Sequence, residues 1–298
     1  MEQKPRSAAA AAILSLFMPG LGHLYSGRWR LALLVYPIAY LGPAIFIGGF
    51  AGLDWSLRGA FRMASWSWLV CAVLCCVHAA WLARRAGKEY RLRPFNLWYF
   101  YLLLWVAGVA LPAFGITRWV QGNLLTRLDL VSDGMMPTLL PGDMVLIDRR
   151  TRALSTLQRG DVIALRDPAD PEAIRIARLI GLAGDQIELG PDGMRLNGEA
   201  IRREEAETDM PGTKYADWLD GRKFMVMEDT DRAARRSASF RVGPEEIFAI
   251  GDNRASAPGA APVPRRDVLG RAILVMASRD PKTGAWRADR RNLPLGFF

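Results

Sequence analysis

Apolar positions dominate four stretches of the first 117 residues; beyond them they fall into short runs punctuated by glycine, proline and charge. The first stretch, Ala8 to Tyr25, is interrupted at Pro19-Gly20 and Gly22, which predicts a bent, interfacial or re-entrant helix. Its basic start, Lys4 and Arg6, also fits a secretory leader, but Gly27-Arg-Trp-Arg30 and three further apolar stretches follow it. Those three, Leu31–Leu53, Met63–Ala83 and Asn96–Ile116, each approach or exceed the roughly 20 residues that a spanning helix needs. Trp66, Trp68, Trp81, Trp98 and Tyr99 lie near their ends, as interfacial anchors do.

From residue 118 the pattern is that of strands. Leu128–Val131 reads as a short strand, and Met144–Ile147 as a buried one after the Pro141-Gly142 turn. Gly160–Leu165, closed by Asp167-Pro168, and Ala173–Leu182 continue the series. Gln186–Leu189 and Met194–Leu196 flank Pro191-Asp-Gly193 as a hairpin, and Phe248–Ile250 and Ala272–Met276 complete the set. Residues 202–240 are richer in charge and predict an exposed lobe. The fold class expected is therefore a membrane-anchored, mainly β protein: an α-helical transmembrane region over residues 1–117, then an all-β domain over residues 118–298.

Charge refines this picture. Residues 1–117 carry 11 Lys/Arg against 3 Asp/Glu, whereas residues 118–298 carry 28 against 27. The basic excess thus surrounds the apolar segments, which points to membrane topology and anionic headgroups. No zinc-type Cys/His spacing or recognition helix is present, so no nucleic-acid partner is expected. The cluster Arg84, Arg85, Lys88, Arg91 and Arg93 is expected on the cytoplasmic side, with Arg28 and Arg30. That places the N-terminus inside and the β domain outside. Cys71, Cys75 and Cys76 share one apolar segment and read as small packing residues. His23 and His78, the only histidines, also lie in apolar segments; with no acidic partner in view they are expected to pack or to sit at an interface.

The motif that organises the chain is Ser132-Asp133-Gly134-Met135-Met136-Pro137-Thr138-Leu139. It resembles the Ser-x-Ser-Met-x-Pro-Thr-Leu nucleophile box of bacterial type I signal peptidases, serine–lysine proteases that remove leader peptides. Further boxes follow in the family's order: Arg159-Gly160-Asp161-Val162, Ile176-Ala177-Arg178-Leu-Ile-Gly181-Leu-Ala-Gly184-Asp185, Asn197-Gly198, and Gly251-Asp252-Asn253-Arg254. The resemblance implies the family's β fold, with Met135, Pro137, Gly142, Asp143, Arg178, Gly181, Gly184, Asp185, Gly251, Asp252, Asn253 and Arg254 at its structural positions. Leu128, Asp129, Leu130 and Val131 correspond to one wall of its peptide groove, and Ile174, Arg175 and Ile176 to the other. Met135, Met136 and Pro137 fit either a membrane-facing rim or core packing. Asp143, Asp161, Asp185 and Asp252 each follow glycine and read as turn residues, not as a metal or acid–base set.

The reacting groups are what the resemblance does not supply. The family's nucleophilic serine falls at Gly134 and its lysine base at Ala177. Residues 118–298 contain no histidine or cysteine, and only Lys214, Lys223 and Lys282 as lysines. The run after Arg254, Ala255-Ser-Ala-Pro-Gly-Ala-Ala-Pro-Val-Pro264, lacks the family's acidic and arginine members. Ser132 matches a serine that helps form the oxyanion hole, with the Gly134 N–H as second donor; a turn hydrogen bond is an equal reading of Ser132. The expected function is a catalytically degenerate signal-peptidase homologue that binds a polypeptide or membrane partner. The alternatives are an active endopeptidase, using Ser132 or a base from a partner, and a membrane scaffold. No metal or other cofactor is expected; the expected partners are membrane lipid and signal peptides, exported proteins or another membrane protein. The resemblance places the chain in a bacterial inner membrane as a multi-pass protein.

Overall fold

The structure, a computed structural model, describes residues 6–53, 55–86, 97–167, 170–190, 193–207, 212–228, 237–255 and 260–295. Several sequence expectations fall outside these: Lys88, Arg91 and Arg93 of the basic cluster, Asn96, Pro168, the Pro191-Asp192 turn, residues 208–211 and 229–236 of the charged stretch, and residues 256–259 after the last box. The chain divides into two compact units, Met1–Trp119 and Val120–Phe298.

In the first unit the stretch expected as one bent helix is two helices, α1 (Ala8–Phe17) and α2 (Leu21–Tyr25). Ser7 caps α1 by accepting a hydrogen bond from Ala10 N–H (3.3 Å). The chain then breaks where Pro19 precedes Gly20, whose φ of 105° only glycine adopts freely. Three helices long and apolar enough to cross a membrane follow: α3 (Trp29–Gly52), α4 (Leu57–Arg85) and α5 (Trp98–Asn123). Each runs past at least one of the ends expected from hydropathy, because terminal polar residues continue the helix without lowering its apolar centre. Ala11 packs with Ala79 and Ala83 of α4, and Tyr25 covers them. A Cβ on Gly22 would fall 2.1 Å from Ala11 O and 2.2 Å from Ser15 Oγ, so glycine sets this close approach. His23 is fully buried, and its Nε2 lies 3.0 Å from Nδ1 of His78. The two histidines, expected to pack or to sit at an interface, are each other's partner, 55 residues apart in the chain.

Among its described residues the second unit holds fifteen strands and one short α-helix, α6 (Thr151–Ser155). The strands are β1 (Leu125–Asp129), β2 (Asp143–Asp148), β3 (Val162–Asp167), β4 (Asp170–Gly181), β5 (Gln186–Gly190), β6 (Gly193–Leu196), β7 (Glu199–Ala200), β8 (Arg202–Ala206), β9 (Thr213–Leu219), β10 (Arg222–Glu228), β11 (Ala238–Arg241), β12 (Glu246–Ile250), β13 (Pro262–Pro264), β14 (Val268–Ser278) and β15 (Leu293–Pro294). An eight-stranded sheet runs β1-β2-β14-β3-β4-β12-β13, with β15 on β14. Both faces of its centre are covered. Val162, Ala164 and Ile176 pack with Leu130, Met135, Leu139 and Val145 on one side. Ile163, Leu165, Ala177 and Leu179 pack with Leu157, Ile247, Ala249 and Val263 on the other. This explains the unbroken apolar runs in β3 and β4, since a strand buried on both faces has no reason to alternate. The protein is mainly β with N-terminal apolar helices, as the sequence predicts.

The charged stretch differs from its expectation. Its described part forms a three-stranded sheet, β10-β9-β8, whose Leu219, Phe224 and Val226 are buried. The charge hides a buried surface because it is internally paired: Arg203 donates to Asp217 (2.7 and 2.8 Å) and to Glu228 (2.8 Å).

Three turns share one construction. Gly142, Gly160 and Gly184 have φ of 91°, 90° and 91°, and each precedes an aspartate. Each aspartate N–H donates to the carbonyl three residues back, and its carboxylate accepts that residue's N–H: Leu140 (2.9 Å), Gln158 (2.9 Å) and Leu182 (2.7 Å). A Cβ on Gly142 would lie 1.8 Å from Arg279 O, so no other residue fits there. An arginine then neutralises each carboxylate: Arg290 on Asp143, Arg222 on Asp161 and Arg159 on Asp185. Asp252 is different. Its carboxylate accepts from Arg178 Nε (2.7 Å) and Nη2 (2.5 Å) and from Thr138 Oγ1 (2.5 Å). Arg178 also donates to Gly160 O at 2.7 Å, and the pair is 3% and 0% exposed.

Two predictions follow from these charges. Removing one partner of a buried ion pair strands the other and costs about 3–5 kcal/mol. Arg178→Met is expected to destabilise the full-length chain by that order in a urea titration in detergent; a loss under about 1 kcal/mol would contradict the role of the pair. The second concerns Asp185. Burial pushes its pKa up, but hydrogen bonds from Arg159, Asn197 and the Leu182 N–H outweigh burial and hold it below its ordinary 3.8. A depressed folded-state pKa gives stability that is present above the unfolded value and lost as pH falls through the folded one. Asp185→Asn is therefore expected to melt below the wild type at neutral pH, with the gap narrowing as the medium is acidified below the ordinary carboxylate range. A gap that stays constant across that range would refute the ionic contribution.

Candidate functional site

The site is built between two strand edges. β1 is the terminal strand of the large sheet and pairs only with β2. Leu130 prolongs it: its N–H donates to Asp143 O (2.8 Å) and its carbonyl accepts from Gly142 N–H (2.7 Å). The strand thus begins three residues before the expected Leu128 and its ladder ends at Asp129, leaving Val131 89% exposed. Apolar content marked Leu128 and Leu130 but missed the buried Leu125; Thr126 and Arg127 belong to the strand through backbone pairing. Opposite, β4 pairs with β3 from Ile174 to Arg178, but meets β12 only from Arg178 onward. Ile174–Ala177 therefore has one unpaired edge among the described residues.

Between these edges lies a cavity of about 270 Å³. Leu128, Asp129, Leu130, Val131, Ser132, Gly134 and Met135 line one side, Asp167, Ile174, Arg175 and Ile176 another, and Ala249, Ile250 and Gly251 the remainder. Asp129 is engaged by Arg127 through two 2.8 Å hydrogen bonds, which hold its carboxyl below the usual range. Met135 is a core residue at 1% exposure, while Met136 and Pro137 are half-buried.

Gly134 lies in the cavity wall. A Cβ there would meet only Ser132 Oγ, at 3.2 Å, so a side chain fits and the backbone does not require glycine. The Gly134 N–H donates to Ser132 Oγ (3.0 Å), which is the turn hydrogen bond. Ala177 is 1% exposed and packs in the apolar cluster of Ile163, Leu165 and Ala249. No lysine or histidine is among the residues that line the cavity. Lys214 and Lys223 lie on β9 and β10, the latter 5.2 Å from the Trp218 ring, and Lys282 lies in the turn after β14.

The last box clasps this loop residue by residue. Gly251 lines the cavity, and Asp252 carries the Arg178–Thr138 cluster. Asn253 donates its N–H to Gly134 O (3.1 Å) and its side-chain amide to Asp133 O (3.2 Å). Arg254 Nε donates to Gly251 O (2.9 Å). Asp143 and Asp185 sit in the turns described above, and Gly181 lies so close to Ile187 that a Cβ would meet its Cδ1 at 2.4 Å. Two residues that no motif singles out complete the support. Arg290 donates to Thr138 O (3.0 Å) as well as to Asp143, and Arg287 donates to Pro141 O (2.9 Å). Both reach the nucleophile-box loop from about 150 residues further along the chain, and no motif in the sequence marks them.

The family described as "Signal peptidase, peptidase S26" matches residues 103–277. Among curated proteins, signal peptidase I of Pseudomonas fluorescens is 26% identical over 203 residues, covering 57% of this chain and 72% of the relative. That of Pseudomonas aeruginosa is 27% identical over 206 residues with the same coverage, 57% and 72%. That of Rickettsia typhi is 36% identical over 141 residues, 47% of this chain and 46% of the relative. The crystal structure of a signal peptidase I from Enterococcus faecalis matches 39% of this chain and 96% of its own at 22% identity, with a TM-score of 0.26. The family match takes in more than half of the sequence and every box that surrounds the cavity, and on that ground the chain belongs to the signal peptidase S26 family.

Proposed function

We propose that this protein is a type I signal-peptidase homologue that has lost peptide hydrolysis and binds an extended polypeptide in the groove between β1 and β4. The observation that carries this reading is the pair of residues at the catalytic positions, Gly134 and Ala177. A hydroxyl attacks a peptide carbonyl only when a base takes its proton. A lysine serves as that base when burial lowers its pKa; alanine offers nothing in its place. Ser132 is a poor substitute nucleophile, since it is two residues away and its Oγ already accepts the Gly134 N–H. Arg175, the cation in the groove wall, is no substitute, because a guanidinium does not serve as a proton acceptor. Binding asks less of the chain. Two strand edges offer backbone donors and acceptors, and Leu128, Leu130, Met135 and Ile176 offer apolar pockets between them.

The same reading sets the topology: an N-terminus in the cytoplasm, three spans, and the β unit on the outer side of the inner membrane. Lys/Arg asymmetry supports it. Alkaline phosphatase joined after Phe298 is expected to be active in cells, and an inactive fusion would reverse the topology.

The catalytic test uses the purified full-length chain in detergent with several preproteins. No cleavage is expected, from the wild type or from Gly134→Ser, which fits sterically but gains no base. Cleavage abolished by Ser132→Ala would overturn the loss of catalysis. The binding test places a photocrosslinker at Leu130 or Ile176 in native membranes. Adducts with exported polypeptides are expected at both positions, and their absence would remove the groove-binding function.

A further inference from the structure

We infer that the groove selects polypeptide ends carrying a free C-terminal carboxylate, held by Arg175 and the Ser132 hydroxyl. This deepens the peptide-binding reading above and rests on it. Arg175 lines the cavity, yet its Nε is buried without a hydrogen-bond partner among the described residues. Buried N–H groups are rarely left in that state, because losing water without gaining an acceptor is costly. An acceptor brought by a ligand would satisfy it.

The position of this arginine gives the acceptor its chemistry. Successive residues of a strand point to opposite faces, so Arg175 shares a face of β4 with Ala177, the position of the family's lysine. A lysine there can lose its proton and act as base. A guanidinium cannot; it is permanently charged and forms forked hydrogen bonds to carboxylates. Arg175 thus puts a fixed cation two residues from the position of the family's lysine, which suits an anion and not proton transfer. The room for an anion exists as well. Where the nucleophile's side chain would stand, Gly134 leaves space bounded only by Ser132 Oγ. That hydroxyl accepts from Gly134 N–H and keeps its own proton to donate.

Two acids also line the cavity, and neither stands against this. Asp129 is already neutralised by Arg127 through both carboxylate oxygens. Asp167 pairs in register with Asp170 at the start of β4, four residues before Ile174. A chain lying along the groove would therefore meet its positive end at Arg175, Ser132 and Gly134. Peptide-bond hydrolysis creates such carboxylate ends, so the site belongs after a hydrolase in a reaction sequence.

The test uses the full-length chain in detergent and one fluorescent peptide of alanine and leucine, made as the free acid and as the C-terminal amide. Anisotropy titration is expected to show the acid binding about tenfold more tightly, as for one charge-assisted contact. Arg175→Gln is expected to bring the affinities of the two peptides within about twofold of each other. Equal affinities in the wild type, or a preference that survives Arg175→Gln, would overturn the inference but leave peptide binding standing. Failure of the wild type to bind either peptide would overturn both. Should Arg175→Gln bind neither peptide, the exposed Ser132→Ala decides: a preference reduced by threefold or more supports the site, and an unchanged one refutes it.

Discussion

Arg178, Asp252 and Thr138 form the contact on which the β unit turns. Each comes from a different box of the sequence: Thr138 from the nucleophile box, Arg178 from β4, Asp252 from the loop after β12. The charges of Arg178 and Asp252 are almost wholly buried, so neither tolerates the loss of the other. The cluster fixes how three distant segments meet. Arg178 sits immediately after Ala177, Asp252 immediately before Asn253, and Asn253 holds Gly134 by its carbonyl. The backbone geometry around Gly134 and Ala177 is thus set by their neighbours. Gly134 and Ala177 can lack functional side chains while their backbone stays in place.

The fold was legible where local chemistry dictates it. Gly142, Gly160 and Gly184 precede aspartates because the turn needs a positive φ and then a carboxylate to close on the N–H three residues back. That much is encoded in four residues. The arginines that complete these turns are not, since Arg290, Arg222 and Arg159 reach them from elsewhere in the chain and any of the 39 basic residues might have served. The sheet β10-β9-β8 was illegible for the same reason. Paired charges such as Arg203 with Asp217 resemble a solvated surface in sequence and bury in the fold. Helix partners were equally hidden. Periodicity marks which residues of α2 and α4 are apolar, but not that Gly22 lets α1 and α2 approach or that His23 meets His78.

At the candidate site the seven groove residues came from resemblance, and the fold brings all of them to one cavity. What sequence could not supply was the state of the polar groups there. The Ser132 hydroxyl and Gly134 N–H face each other, so the ground state is a closed turn and not two donors waiting for an oxyanion. The orphaned Nε of Arg175 was equally invisible, because its solvation depends on the packing of β4 against its neighbours.

Catalysis and binding place different demands on such a groove, and that difference governs which can outlast the other. Hydrolysis depends on two side-chain atoms aligned to within a fraction of an ångström, and one substitution removes an entire function. Strand addition depends on main-chain N–H and C=O groups, which every non-proline residue carries. The edges of β1 and β4 are held open by the sheet itself: among the described residues β1 has no outer neighbour, and β12 pairs with β4 only from Arg178 onward. No side chain at position 134 or 177 contributes to that arrangement. The shape of this groove is therefore set by its strands and not by the side chains at positions 134 and 177.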